Sequence, residues 1–290
     1  MGSRRTKKQR QEDDARIESL SSMFRQQAQD LGPTNPVTLA TALDLGAFYR
    51  DLGEFDEAAD LFGFVVQGQR ETIGAQDLET IRSLFDLSNA LFLKGDYSEA
   101  AIVQQEVLER VVELFGPQSI QASAAMFNLV ATYLATARLD EALILQRSLV
   151  VANAECYGAQ DWETLKAMWG EADLLRRLSR HDEARTIAEQ SLAMAKDANL
   201  SPVSILDLKR NLLRIEVEQD DWVSADSLAD EIFTIDLREL EPSTGHGRWL
   251  RRIEPKYRRF SKRREGRFYR MLVQSLFLDK DEMREALRAS

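Results

Sequence analysis

A chain of 290 residues that is 44% apolar, 30% charged and 8% aromatic can bury a sizeable core and is too apolar to be disordered. Its single cysteine, Cys156, excludes an intramolecular disulfide and any cluster of soft metal ligands, and no run of about 18 apolar residues exists to cross a membrane as a helix. Only 14 glycines and 6 prolines are present, which favours long helices joined by short turns over a strand-rich fold.

Residues 1–10 carry Arg4, Arg5, Lys7, Lys8 and Arg10 without an acid and read as a basic, flexible N-terminus. They lack the apolar stretch of a secretory signal. Met1-Gly2-Ser3-Arg4-Arg5-Thr6 also fits a myristoylation pattern, and the basic run behind it could act as a second membrane signal or as a nuclear-import signal. In residues 11–31, Leu20, Met23 and Phe24 are spaced like the buried stripe of a helix that has no partner before it. This stretch is expected to be half of a repeat, serving as a cap or left over from a longer array.

A repeat then becomes visible. Leu31-Gly32, Ile73-Gly74, Phe115-Gly116 and Tyr157-Gly158 stand 42 residues apart, and Glu57-Ala58, Glu99-Ala100, Glu141-Ala142 and Glu183-Ala184 keep the same spacing. Ser224-Ala225 supplies a fifth copy one residue early. Gly32, Gly74, Gly116 and Gly158 end apolar-periodic stretches, where a left-handed residue closes a helix, and Asn199 takes that role in copy five. Asn35, Asp77, Ser119 and Asp161 are N-caps for the first helix of each unit. Thr38, Thr80 and Thr164 recur three residues on, but Ala122 replaces them in copy three, so capping does not require that threonine. Gly53 and Gly95 mark the turn inside each unit, a place later held by Ala137, Ser179 and Asp220.

The second helix carries a buried stripe at Leu61, Val65 and Val66, repeated at Val103, Val107 and Leu108 and again at Leu145, Leu149 and Val150. The marker alanine is small because two helices approach closely there. Leu45, Leu87 and Leu129 point inward from the first helix. A single hairpin of this kind cannot bury its apolar face, so neighbouring hairpins must stack. Helix pairs are predicted to begin near residues 35, 77, 119, 161 and 202, and the array to cover residues 11–240 as a half-repeat cap plus five repeats.

LGPTNPVTLATALDLGAFYRDLGEFDEAADLF, residues 31–62, resembles the 42-residue tetratricopeptide repeat of the kinesin-light-chain type. The resemblance extends to about residue 240. It implies an all-α, right-handed superhelical solenoid whose concave wall, built from the first helices, grips a peptide or partner domain. Carried over position by position, the groove residues are Asp44 and Arg50 in copy one, then Arg82, Phe85, Asp86 and Asn89 in copy two. Copy three gives Phe127 and Asn128, and copy four Lys166, Trp169, Asp173 and Arg176. Arg177 joins these, and Arg210, Asn211 and Arg214 are the entries from copy five. The family often has asparagine where Asp44, Asp86 and Asn128 stand, able to bond a peptide backbone; Gly170 departs from that pattern. Phe85, Phe92, Phe127 and Trp169 would form an aromatic floor, the composition found at interface centres. Phe92 and Trp169 have a second reading as packing between repeats. The expected partner is a protein or peptide with apolar residues beside acidic ones.

Beyond the array, residues 241–267 form a basic insertion and residues 268–290 resemble a capping helix or partial sixth repeat. Residues 248–270 hold eleven basic and two acidic residues, so with the N-terminus set aside the rest of the chain carries −24 of a net −10. Trp249, Tyr257, Phe260, Phe268 and Tyr269 interleave this strip. It either packs on the acidic body or forms a nucleic-acid or anionic-surface site, the alternative function class. No phosphate loop, nucleophile elbow or dinucleotide motif occurs, and His181 and His246 are isolated, so the sequence reads as non-enzymatic, without cofactor or metal, and cytoplasmic.

Overall fold

The computed structural model of the chain describes residues 6–234, and every regular element in that span is an α-helix. The chain divides into two compact units, Met1–Ala142 and Leu143–Ser290. The first holds α1 (Lys7–Asp30), α2 (Pro36–Leu52), α3 (Phe55–Thr72), α4 (Leu78–Lys94), α5 (Tyr97–Phe115) and α6 (Ile120–Ala135). Helix α7 (Leu139–Tyr157) starts there and runs into the second unit, followed by α8 (Trp162–Arg177), α9 (His181–Asp197), α10 (Pro202–Glu218) and α11 (Trp222–Thr234). Within the first unit each helix from α1 to α6 packs on the next, and α2 also reaches α4. In the second, α8 to α11 pack in the same serial way, with α8 reaching α10. The expected segments 241–267 and 268–290, and with them the basic strip 248–270, lie outside the described residues.

The boundaries follow from local chemistry. Asn35, Asp77 and Asp161 each accept the amide two residues ahead, at 2.9, 2.9 and 2.8 Å, and Ser119 accepts the amide of Ala122 at 3.1 Å. Pro36 and Pro202 occupy the first helical position, where the missing N–H costs nothing. The recurring threonine has a role that its spacing does not reveal. Thr38, Thr80 and Thr164 are buried, and each donates its hydroxyl to the carbonyl of the preceding Gly32, Gly74 or Gly158 at 2.7–2.9 Å, tying the helix to the loop that enters it. Where Ala122 interrupts the series, the Ser119 hydroxyl donates to Gly116 O at 2.8 Å instead.

The marker alanines hold the core. Ala58, Ala100, Ala142, Ala184 and Ala225 are all fully buried, which leaves no room for a larger side chain where the helices cross. Val65, Val107, Leu149 and Ile232 are buried as well, as are Leu45, Leu91 and Leu129 of the first helices. The turn inside each unit is left-handed in every copy: Gly53 and Gly95 have φ of 87° and 95°, while Ala137, Ser179 and Asp220 are held at 56°, 58° and 56°. The last three pay the steric cost that glycine avoids.

Helix α1 begins at Lys7, four residues before the expected start of the array at residue 11. Thr6 closes a capping box with Gln9, which accounts for helix across Lys7–Arg10. Helix α1 packs on α2 and buries none of its described residues fully. Phe24 meets Phe64 edge-on at 5.3 Å, and the Arg16 guanidinium lies 4.5 Å over the Phe48 ring.

Candidate protein-binding face

The outward face of each first helix is set by its two packed faces. Helix α2 packs on α3 and reaches α4, α4 packs on both α3 and α5, and α6 packs on α5; the side of each left least covered carries residues at i, i+3, i+4 and i+7. In the first unit this face holds Ala40, Leu43, Asp44 and Ala47 on α2, then Arg82, Phe85, Asp86 and Asn89 on α4, then Ala124, Phe127, Asn128 and Ala131 on α6. All twelve are exposed or half-buried, so the positions carried over from the resemblance are accessible.

Phe127 is 57% exposed, a large cost for an aromatic ring with no partner, whereas Phe85 one repeat earlier is half-buried. Phe92 leaves the expected aromatic floor: it packs into the cluster of Ala58, Phe62, Ala90, Leu91 and Ala100, with its ring edge-on to Tyr97 at 5.3 Å. Asn89 and Asn128 are half-buried, and their side-chain amides bond no described residue. The charges are arranged unevenly. Arg50 bridges repeats by reaching Asp86 at 3.0 Å and also meets Asp51 at 3.4 Å. Burial pushes the Asp86 carboxyl above the usual range, with Arg50 pulling the other way. Arg82 is held by Glu79 at 2.8 Å on the surface. Asp44 is exposed and meets no cation among the described residues.

In the second unit the face belongs to α8. Trp169 is 42% exposed, and its backbone carbonyl accepts the Asn211 side-chain amide at 2.9 Å. Asn211 itself is buried, so it serves this contact and not an outward face. Lys166 is taken by Glu163. Asp173 receives both Arg176 and Arg177, at 2.8 and 2.7 Å. Arg176 differs from its assignment as a groove residue: it is 8% exposed, and its second hydrogen-bonding arm spans to Glu218 on α10 at 2.7 Å. Burial works against its charge, but the bonds to Asp173 and Glu218 outweigh that and hold the guanidinium pKa up. Arg176 is therefore a strut between α8 and α10. Phe85 and Phe127 lie in one unit and Trp169 in the other.

Gly170, which breaks the asparagine pattern, has a structural cause. A Cβ at that position would lie 2.7 Å from Gln146 Nε2, and this buried glutamine donates to Ala167 O at 2.7 Å. The equivalent glutamine one repeat earlier, Gln104, accepts the Thr132 hydroxyl at 2.6 Å. These glutamines recur 42 residues apart inside the second-helix stripe, which was the signal available in the sequence. Among the described residues no helix is long and apolar enough to cross a membrane, and no three His, Cys, Asp or Glu side chains gather as metal ligands.

Residues 37–111 match the tetratricopeptide repeat family. No curated protein sequence matches the chain. Among solved structures, the nearly identical TPR-like repeats of a kinesin light chain from Podosopora anserina superpose with a TM-score of 0.62 at 21% identity, covering 72% of this chain and 98% of that one. BtubC (BKLC) from P. vanneervenii gives 0.59 at 16% identity over 84% and 93% of the two chains. The apo form of RapI gives 0.58 at 11% identity over 97% and 71%. At these identities the likeness is one of fold: the described helices make an array of tetratricopeptide repeats similar to those of the kinesin-light-chain type.

Proposed function

We propose that this protein is a non-enzymatic interaction scaffold or adaptor that binds a peptide or partner domain on the outward face of its first helices. The observation that supports this reading best is Phe127, an aromatic side chain left 57% exposed at a position where α2 and α4 carry half-buried Leu43 and Phe85. An unpartnered aromatic beside free amides is the composition of an interface centre. Asn89 stands one turn after Phe85 and Asn128 directly follows Phe127, and both amides can bond the backbone of an extended segment. Trp169 offers a comparable anchor in the second unit.

The expectation of acidic residues in the partner rested on Lys166, Arg176 and their neighbours. In the structure each of these cations already holds a carboxylate. A partner acid would have to compete with an existing pair at each of these positions. The alternative reading, a polyanion site in 248–270, concerns residues outside those described and has no support from α1 to α11.

The test is selection of ligands from a random displayed-peptide library with the full chain, followed by Phe127→Ala. If Phe127 is a central anchor, the variant loses about 2 kcal/mol or more of affinity for the selected peptides. Its thermal unfolding stays close to that of the parent, because the ring is mostly in water. A large loss of stability with affinity unchanged would place the ring in the core and the binding surface elsewhere.

A further inference from the structure

The first-helix face of Met1–Ala142 has a charge of its own, and it points to a partner chemistry. Residues 6–142 contain 11 basic and 22 acidic side chains. On the face itself the imbalance is sharper than the count suggests, because the cations are spent. Arg50 serves both Asp86 and Asp51, Arg82 serves Glu79, and Lys94, at the end of α4, turns to Asp56 and Asp96. Asp44 has no cation among the described residues, and α6 carries no charged residue at all. The face therefore runs from an acidic end on α2 and α4 to a neutral, aromatic end on α6.

We infer that the occupant of this face is a protein segment that carries a lysine or arginine toward one end and an apolar side chain toward the other. Its cation would take Asp44 and share the Asp51–Asp86 carboxylates with Arg50, and its apolar side chain would cover Phe127. The inference rests on the binding role proposed above. A cation is favoured over an anion for two reasons. Asp44 offers an unshared carboxylate, so pairing it needs no existing bond to be broken. An incoming carboxylate would meet the field of the surrounding acids and would have to displace Asp86 or Glu79 from its arginine. The half-buried Asp86, whose ionised form burial already penalises, gains most from a second cation beside it.

The experiment uses two fluorescent peptide pools of equal length. Each has one fixed phenylalanine and neutral residues elsewhere, one pool with two arginines and the other with two glutamates at the same flanking positions. Anisotropy titrations with the full chain should favour the arginine pool. Asp44→Lys should weaken it by about tenfold or more, the loss expected for one charge-assisted contact. Asp60→Lys, the same charge change on exposed α3 surface, controls for net charge and should leave binding within about twofold at ordinary salt. Tighter binding of the glutamate pool, or an arginine pool indifferent to Asp44→Lys, overturns the inference and leaves the scaffold reading standing. Binding of both pools that ignores Phe127→Ala overturns both.

Discussion

Gly170→Ala is expected to change sign with its background, and the size of the change can be worked out from the site. In a solvent-facing helix, replacing an interior glycine with alanine adds about 0.5–1 kcal/mol of stability by reducing the freedom of the unfolded chain. At Gly170 the new methyl would sit 2.7 Å from Gln146 Nε2, well inside contact distance. Gln146 is 5% exposed and donates to Ala167 O, so moving its amide strands a buried polar group at a cost of about 1–3 kcal/mol. The single variant should therefore lose about 1 kcal/mol once the helical gain is subtracted. With Gln146→Ala already present the obstacle is gone, and the same Gly170→Ala should add about 0.5–1 kcal/mol. Urea unfolding of the parent, both single variants and the double variant, followed at 222 nm, gives the coupling directly. Equal slopes across the four curves are needed as a check, because repeat arrays can lose two-state behaviour. A gain in both backgrounds would mean that Gln146 is not held where the structure places it, and the account of the missing asparagine would fail.

Two further outcomes follow from the backbone and from burial. Ala137→Gly should raise stability by up to about 1 kcal/mol, because relief of a left-handed φ of 56° exceeds the entropy returned to the unfolded chain; a lower melting temperature refutes this. Glu216 is almost fully buried, and burial holds its carboxyl above the usual range, with Asp221 and Glu189 adding to that and Arg185 opposing it. The folded state therefore binds the proton more tightly than the unfolded chain, so this group's contribution is fully present below about pH 4.5 and is lost as pH rises through the folded value. The stability of the parent relative to Glu216→Gln should fall between pH 4.5 and 7, and a rise over that window would refute the reasoning.

What the sequence made legible was whatever the packing repeats. Alanines at helix crossings, N-caps and left-handed turns are imposed at the same place in every hairpin, so a period of 42 exposes them without any partner information. Ala58 through Ala225 are all fully buried, and Asn35, Asp77, Ser119 and Asp161 all cap. The threonine hydroxyl bonds were visible as a spacing but not as a function, because a carbonyl acceptor six residues back leaves no mark on composition. Charge was the least legible feature. Arg176 sits at a groove position by register, yet its side chain reaches 42 residues ahead to Glu218, and no local pattern announces a bond of that span.

The proposed binding face is legible for the opposite reason. At the outward positions of the first helices the fold demands less than at the helix crossings, and the residues there differ: Leu43, Phe85, Phe127 and Trp169 at one register, Asp44, Asp86, Asn128 and Gly170 at the next. Variation alone does not mark a site, since any solvated helix surface varies. Gly170 shows that some of it is still structural, set by a buried glutamine behind the helix. What separates Phe127 from such cases is that no packing demand accounts for it. The ring is 57% exposed, whereas Phe92 at the far end of α4 packs against the cluster that holds Phe62 and lies edge-on to Tyr97. A side chain that is unfavourable for the folded chain in isolation is retained when something outside the chain makes it favourable. On that argument Phe127 marks the face proposed to bind and Asp44 the charge proposed for it.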